Sequence, residues 1–261
     1  MIWDILIRAV IVGILLSILL SIMSYFVVLR KMTFAGVGIA HSAFGGIALN
    51  FLLGLSSYAL PVLFSVLSSL LIAFMYKKGK MSEDSAIDVI FVFSMAFGVF
   101  VLSMSNGYSA NMLGILFGNI LSVSSSDLFL SLTVFVLGFL FISYFFSHFQ
   151  LMSYNEELAY ISGVRVDLLY YLFWVVLSVV IVLAIKLIGI ILVNAFLVLP
   201  TLVGLNIARN YKGIVFISMI SSTISIVAGI SIAYLLDTPA GATIVLAFIS
   251  LWIISVFYKK L

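Results

Sequence analysis

Long apolar stretches alternate with short polar connections along this chain, and they lack the every-second-residue alternation of barrel strands. Within a bilayer only helices and closed barrels satisfy all their backbone hydrogen bonds, so these stretches are predicted to be helices. Divided into lengths of roughly 20 residues, the pattern predicts an all-α, polytopic transmembrane helical bundle of about nine spans, within a range of eight to ten. The predicted spans are residues 5–29, 34–55, 58–76, 86–105, 127–146, 168–186, 189–208, 213–235 and 243–258.

Two stretches leave the number of spans open. Lys186 to Gly189 is a very short connection between two predicted spans, and the apolar stretch 113–123 is too short to cross a bilayer. We expect residues 113–123 to form a re-entrant or interfacial segment. The first span is longer than the apolar core of a signal peptide, and no small-residue cleavage site follows it, so we expect it to remain in the protein.

The composition supports a membrane protein. Of the 261 residues, 65% are hydrophobic and 8% are charged, which is more apolar surface than a soluble domain can bury. No Pro-rich or Ser-rich linker divides the chain, so residues 1–261 are predicted to form a single transmembrane domain. The chain has no cysteine, which leaves His, Asp, Glu and Met as candidate metal ligands.

Basic residues are concentrated in every second connection. By the positive-inside rule these connections are predicted to be cytoplasmic, with the N-terminus outside and the C-terminus in the cytoplasm. Of the 12 Lys and Arg residues, only Arg8 and Lys186 fall at the opposite ends of the spans, where long side chains can reach the interface. The residues on the cytoplasmic side are Arg30, Lys31, Lys77, Lys78, Lys80, Arg165, Arg209, Lys212, Lys259 and Lys260.

His41 is the first candidate for chemistry inside the membrane. It is one of two histidines and lies in the apolar, glycine-containing stretch 34–50, where an ionisable side chain is costly unless it faces protein or water. Neutral imidazole is a ligand for zinc, manganese and iron-class ions. Gly38, Ser42 and Gly46 recur at a four-residue spacing that allows close helix packing. The alternative is a histidine bonded to a backbone carbonyl between packed helices.

Three further polar residues are candidates for the same pathway. Asp88 opens the fourth span, where it lines an inner vestibule or is simply hydrated at the interface. Asn194 carries a polar group to the middle of its span, and Pro200 in the same span predicts a kink. Asp237 or Thr238 is predicted to cap the last helix, and the segment either lines a gate or forms a structural turn.

A short amphipathic helix is predicted in the long polar connection 147–167. Asn155 is placed to cap its start, and Gly163 marks its end. A two-turn helix has little stability of its own in water, so contact with a partner protein is one explanation for it. A helix that lies on the lipid headgroups, with Leu158 and Ile161 in the lipid, is the other.

Six blocks of the sequence occur in an order that resembles the permeases of zinc and manganese ABC importers, the ABC-3 type. They are the stretch around His41, the acidic residues before Ala86, Leu116 to Asp127, Asn155 to Gly163, Gly189 to Pro200, and Asp237 to Gly241. The resemblance implies a type II ABC importer-like bundle in a bacterial or archaeal cell (inner) membrane. It implies three partners besides membrane lipid, namely a second copy of the chain, a cytoplasmic ABC ATPase dimer and an extracytoplasmic, metal-binding solute-binding protein.

The resemblance also assigns roles to residues. It implies that the ATPase acts on the segment with Asn155, Glu156, Glu157, Ala159 and Gly163. The chain has no Gly-rich phosphate loop, so ATP is expected to be used by the partner subunit, and the chain is not expected to be an enzyme or to bind nucleic acid. No permanently bound cofactor is expected.

One position departs from the family pattern. The family's second span often reads Gly-Asp-Ala-Leu-Ser-His, whereas this chain reads Gly-Val-Gly-Ile-Ala-His from Gly36 to His41. Val37 therefore replaces a hard carboxylate one turn before the histidine, which weakens the case for manganese. Two symmetry-related His41 side chains would favour zinc, and a different cargo is the other explanation.

The sequence thus predicts the permease subunit of an ATP-driven importer of divalent metal ions of the zinc, manganese or iron class. One alternative is an ABC permease for a non-metal cargo. Another is a secondary metal transporter or channel, although ion coupling would ordinarily require more acids inside the membrane. An intramembrane enzyme lacks support, because the sequence has no aspartate pair, no nucleophile with a base and no His-Glu-x-x-His motif.

Overall fold

The computed structural model describes residues 2–55, 58–79, 81–104 and 124–259, with the backbone alone at 2–6, 125 and 259. Within these ranges all regular secondary structure is α-helical. The helices are α1 (Ile2–Leu29), α2 (Ala35–Leu53), α3 (Ala59–Gly79), α4 (Glu83–Ser103), α5 (Ser125–Tyr154), α6 (Glu156–Ile161), α7 (Val166–Ile188), α8 (Ile190–Ile207), α9 (Tyr211–Leu236) and α10 (Ala240–Lys259).

Nine helices in the described part of the chain are long and apolar enough to cross a membrane, namely all except α6. This confirms the prediction of an all-α transmembrane protein with nine spans. Several helices extend beyond the predicted limits, and α5 runs to Tyr154 instead of ending near residue 146. The predicted re-entrant or interfacial segment 113–123 and Lys80 lie outside the described residues.

The helix ends follow local sequence signals. Ser82 precedes α4 and its side chain accepts a hydrogen bond from the Ser85 N–H at 3.2 Å. Asn210 caps α9 in the same way, by accepting from the Gly213 N–H at 2.7 Å. Gly189 alone separates α7 from α8 and has a φ of 83°, a backbone conformation that residues with a Cβ atom rarely adopt. The very short predicted connection is therefore a single glycine.

The chain divides into two compact units, of which unit 1 comprises the described residues within 1–30, 113–147 and 184–261. Helices α1 and α10 each pack on both α8 and α9, and α8 packs on α9. Ser24 of α1 donates a hydrogen bond to Thr201 Oγ1 of α8 at 2.9 Å. A Cβ atom at Gly229 would lie 2.5 Å from the Ile244 Cα, so glycine allows α9 and α10 to approach closely.

Unit 2 comprises the described residues within 31–112 and 148–183. Helix α2 packs on both α3 and α4, and small residues form these contacts. A Cβ atom at Gly46 would lie 2.5 Å from the Pro61 Cα of α3, and one at Gly38 would overlap the Ile87 side chain of α4. Ser42, between these two glycines, is fully buried and faces α4. This close packing fixes the position of the helix that carries His41.

Candidate functional site

His41 and Val37 lie one turn apart on the same face of α2. Both side chains are partly exposed, whereas Gly38 and Ser42 beside them are buried. The His41 imidazole packs edge-on against the Phe91 ring, with the ring centroids 4.8 Å apart. It makes no hydrogen bond to any residue in the described part of the chain, so its nitrogens are available to a ligand or to water. His41 thus lies at the margin of the contact between α2 and α4, where part of its side chain stays exposed.

Contacts between α2 and α4 show that the two helices run in the same direction. Matching pairs follow one another along both, namely Gly38 with Ile87, His41 with Phe91, Ser42 with Ser94, and Phe44 with Gly98. Asp88 follows Ile87, which packs on Gly38, and therefore lies at the level of Gly38 to Ile39, about 3–5 Å along the axis from the level of His41. Its side chain is exposed. Asp88 lies in the second turn of α4, not at the start of the span, because the helix begins at Glu83, before the predicted limit of residue 86.

Helix α6 is the predicted short helix in the connection between two spans. The Asn155 Oδ1 accepts a hydrogen bond from the Leu158 N–H at 3.0 Å, and Gly163, with a φ of 82°, ends the turn that follows. Ala159 is fully buried, whereas Tyr160 and Ile161 are 75% and 79% exposed. The helix therefore rests on the protein through one small residue and presents large side chains outward.

Lys77, one of two basic residues in the last turn of α3, forms two ion pairs beside α6. Its Nζ lies 3.1 Å from Glu156 Oε2 and 3.1 Å from Asp167 Oδ1, and 5.1 Å from the centre of the Tyr170 ring. The Lys77 side chain is only 18% exposed. The sequence places Lys77 among the cytoplasmic basic residues but does not predict this cluster, since its partners lie far along the chain. The acidic residues Glu156 and Asp167 in the cytoplasmic connection 147–167 were the one indication that a basic residue could pair there.

An open groove of about 410 Å³ runs along α6. Glu156 and Glu157 line it together with Lys77, and Tyr160 and Ile161 supply apolar surface. An open, mixed surface of this kind is typical of a contact site for another protein rather than of a pocket for a small molecule.

Asn194 and Pro200 lie on α8 in unit 1. Asn194 is in the second turn of the helix, which runs from Ile190 to Ile207, and so lies near its start rather than at the middle of the span as expected. Its Oδ1 is buried and has no hydrogen-bond partner among the described residues. The helix continues through Pro200, whose carbonyl accepts a hydrogen bond from Ser218 Oγ at 2.9 Å. The kink at Pro200 stays a prediction.

Asp237 ends α9 instead of starting the last helix. Its φ of 50° is left-handed, and its N–H bonds the Ala233 carbonyl, as in a helix C-cap. Pro239 directly precedes α10, and the Thr238 hydroxyl contacts the Thr243 hydroxyl at 2.9 Å. The prediction that Asp237 or Thr238 caps α10 is therefore wrong. Asp237 ends α9 in a left-handed conformation, and Pro239 separates both residues from Ala240, where α10 begins. The Asp237 side chain is exposed.

Lys186, for which a position at the membrane interface is predicted, forms an ion pair within unit 1. Its Nζ donates to Asp127 Oδ1 at 2.7 Å, and Asp127 Oδ2 also accepts from the Ser124 hydroxyl at 2.6 Å. This pair joins the start of α5 to the end of α7.

The described residues contain no group of three or more His, Cys, Asp or Glu side chains that could hold a metal ion. One copy of the chain thus offers at most His41 and Asp88 at neighbouring levels of unit 2. Such a pair needs ligands from water or from a second copy to complete a coordination sphere. Weak, incomplete coordination suits passage of an ion better than storage.

The sequence matches the family model described as the ABC 3 transport family over residues 2–259. A "Probable metal transport system membrane protein" of Thermotoga maritima is 35% identical over 243 residues, which cover 91% of this chain and 84% of that protein. The manganese import system permease protein ScaB of Streptococcus gordonii is 31% identical, with 96% of this chain and 90% of ScaB covered. Among solved structures, PsaBC from Streptococcus pneumoniae in complex with Fab superposes with a TM-score of 0.82 at 31% identity, over 95% of this chain and 89% of that one.

A family match of this length agrees with the nine spans and the short helix α6 between two of them. The chain belongs to the ABC 3 transport family of membrane permeases.

Proposed function

We propose that this chain is the membrane-spanning permease of an ATP-driven importer of divalent metal ions of the zinc, manganese or iron class. One observation carries the proposal. His41 is a partly exposed imidazole on a membrane helix, in a chain 31% identical to a manganese import permease across 96% of its length. We infer that residues 1–261 act as one permease domain, and that two copies form the pathway.

The orientation follows from charge. We propose that the ends of the helices near Lys77 and Arg165 face the cytoplasm, which places the N-terminus outside and the C-terminus inside. Asn194, near the start of α8, and Asp237, at the end of α9, then lie toward the outer surface. We assign these two side chains to the outer part of the pathway, where an extracytoplasmic binding protein delivers the ion.

Deeper in the membrane, we propose that His41 and Asp88 contact the passing ion. The parallel packing of α2 and α4 supports Asp88, because it places this carboxylate within one helical turn of the level of His41, as the family pattern does with its carboxylate on α2. Two copies would then supply two imidazoles and two carboxylates, a set that borderline-soft divalent ions accept. The carboxylate that α2 lacks is thus replaced from the neighbouring helix.

We further propose that α6 is the contact site for the cytoplasmic ATPase, with Asn155, Glu156, Glu157, Ala159 and Gly163 shaping it. The open groove with its two glutamates and the exposed Tyr160 and Ile161 supports a protein partner. A helix on the cytoplasmic headgroups would place these acids against an anionic lipid surface, which repels them. ATP is then used by the partner subunit.

A non-metal cargo is the second candidate, and one observation favours it. Val37 replaces a carboxylate of the family pattern, and the described residues contain no ready-made cluster of three ligands. In this case the pathway would be built like that of a metal importer and carry a different solute.

The test is uptake in proteoliposomes that contain the permease, its ATPase and its binding protein. ATP-dependent uptake of zinc, manganese and iron is measured side by side in the parent protein and in the H41A variant. The H148A variant is the matched control, because His148 is exposed on α5 and lies outside the proposed pathway. We expect uptake of one metal that H41A lowers and H148A does not. ATP hydrolysis without uptake of any metal would support the non-metal cargo, and metal uptake without ATP would indicate a secondary transporter.

A further inference from the structure

Lys77 carries two ion pairs that join helix α6 to other helices of unit 2. Lys77 Nζ has three N–H donors and lies 3.1 Å from both Glu156 Oε2 at the start of α6 and Asp167 Oδ1 at the start of α7. The lysine stands at the end of α3. One ammonium group therefore joins α3, α6 and α7, and its charge offsets two carboxylates that would otherwise repel each other.

A second contact extends this cluster to α4. The Tyr170 ring lies under Lys77, with its centre 5.1 Å from Nζ, and the Tyr170 hydroxyl donates to Glu83 Oε1 at 2.7 Å. Glu83 is the first residue of α4 and is only 8% exposed. Because a hydrogen bond to a buried carboxylate is costly to lose, this bond helps to fix α4 relative to α7.

Helix α4 is in turn packed tightly along α2. Gly38 abuts Ile87, and the Ser42 and Ser94 hydroxyl oxygens lie 3.3 Å apart in the buried contact. The His41 ring contacts Phe91 in the same interface. Side chains and helix contacts therefore run without a break from α6 to the helix that carries His41, all within unit 2.

We propose that Lys77 is a positioning residue that clamps α6 to α3, α4 and α7, so that a displacement of α6 moves the His41 helix with it. This inference rests on the proposed function, because it assumes that the ATPase pushes on α6. Without the clamp, α6 and α7 would lose the ion pairs that join Glu156 and Asp167 to α3. Nucleotide binding would then move α6 alone, and the pathway would not respond.

The test uses Val37, which shares the exposed face of α2 with His41, as a reporter. The natural chain has no cysteine, so a V37C variant carries one thiol in the permease. Its labelling rate with a water-soluble maleimide is measured in the assembled permease and ATPase complex, with and without ATP and vanadate. This readout needs no cargo, so it is independent of which solute the importer carries.

We expect the labelling rate of V37C to change with nucleotide, and the K77M substitution to reduce this change roughly fivefold or more, as loss of a typical coupling free energy would do. The K77R variant keeps the charge and should keep most of the change. K78M is the matched control, because the Lys78 Nζ lies over the Phe74 ring of its own helix, 5.4 Å from the ring centre, in place of joining α6.

The combined E156Q and D167N variant removes the two carboxylates that pair with Lys77. It must also reduce the change in V37C labelling rate that nucleotide causes. If K77M does not assemble with the ATPase, this variant tests the proposal in its place. Failure of both variants to assemble would show that Lys77 serves folding, and it would overturn the proposal. An unchanged response in K77M, an equal loss in K78M, or no nucleotide response in V37C itself would overturn it too. Absence of metal uptake with an intact V37C response would instead contradict only the proposed cargo.

Discussion

One methyl group added at Gly46 tests whether α2 and α3 lie as close together as the structure shows. A Cβ atom there would stand 2.5 Å from the Pro61 Cα and 2.7 Å from the Leu60 carbonyl oxygen. Carbon atoms pack best at about 3.5–4.0 Å, so the overlap is roughly 1 Å. Both neighbours are backbone atoms that cannot rotate away, and the helices must separate to admit the methyl group.

The size of the effect follows from two opposing contributions. Overpacking of this kind costs about 1–3 kcal/mol, and replacement of glycine by alanine in a helix recovers about 0.5–1 kcal/mol. We therefore expect G46A to lower the free energy of unfolding by up to about 2.5 kcal/mol. At about 2–4 °C per kcal/mol for a chain of this size, the Tm should fall by up to about 10 °C.

Thermal unfolding in detergent, followed by the fluorescence of the 3 tryptophans, measures this shift. The matched control is G79A, because a Cβ atom at Gly79 would meet only the Met81 side chain, at 3.7 Å. We expect the Tm of G79A to equal or exceed that of the parent protein. If G46A unfolds at the same temperature as G79A, the two helices are not in backbone contact at Gly46, and the argument that packing fixes the His41 helix fails.

Three further substitutions test the site and its supports. V37D should shift selectivity in the uptake assay toward manganese, a harder ion, and identical selectivity would count against a site at this level. E157K should weaken the complex with the ATPase in a pull-down, because it reverses a charge of the α6 groove; an undisturbed complex would contradict docking there. K186M removes the ion pair with Asp127, whose two side chains are 25% and 15% exposed, and should lower the free energy of unfolding by about 1–3 kcal/mol. An unaltered Tm in thermal unfolding would refute this prediction.

Hydropathy and local capping rules predicted the spans and α6, because both depend on residues close together in sequence. A membrane helix needs only length and apolarity, and α6 needed only Asn155 at its start and Gly163 after its end. Asp237 shows the limit of local rules. A residue between two helices can cap either one, and here the left-handed backbone conformation of Asp237 makes it the C-cap of α9.

Contacts between distant parts of the chain were beyond those rules. Lys77 and Glu156 are joined only because α3 and α6 meet, and no local pattern states which acid a basic residue will find. The level of Asp88 relative to Val37 likewise depends on the register of two helices separated by α3. These non-local contacts are the ones on which the proposed clamp and the proposed pathway depend.

The clamp and the pathway together constrain how an ion could be released. If unit 2 moves as one body, His41 and Asp88 of one copy keep their spacing, because the contacts along α2 and α4 are unbroken. In the proposed pathway of two copies, the coordination of the ion would then change through the distance between the copies, each of which would supply an incomplete ligand set. Rigid movement of packed helices around a central site is a common means of alternating access. A weak site shared by two copies is therefore easier to empty than a strong site within one, and the loss of a carboxylate at Val37 fits release of this kind.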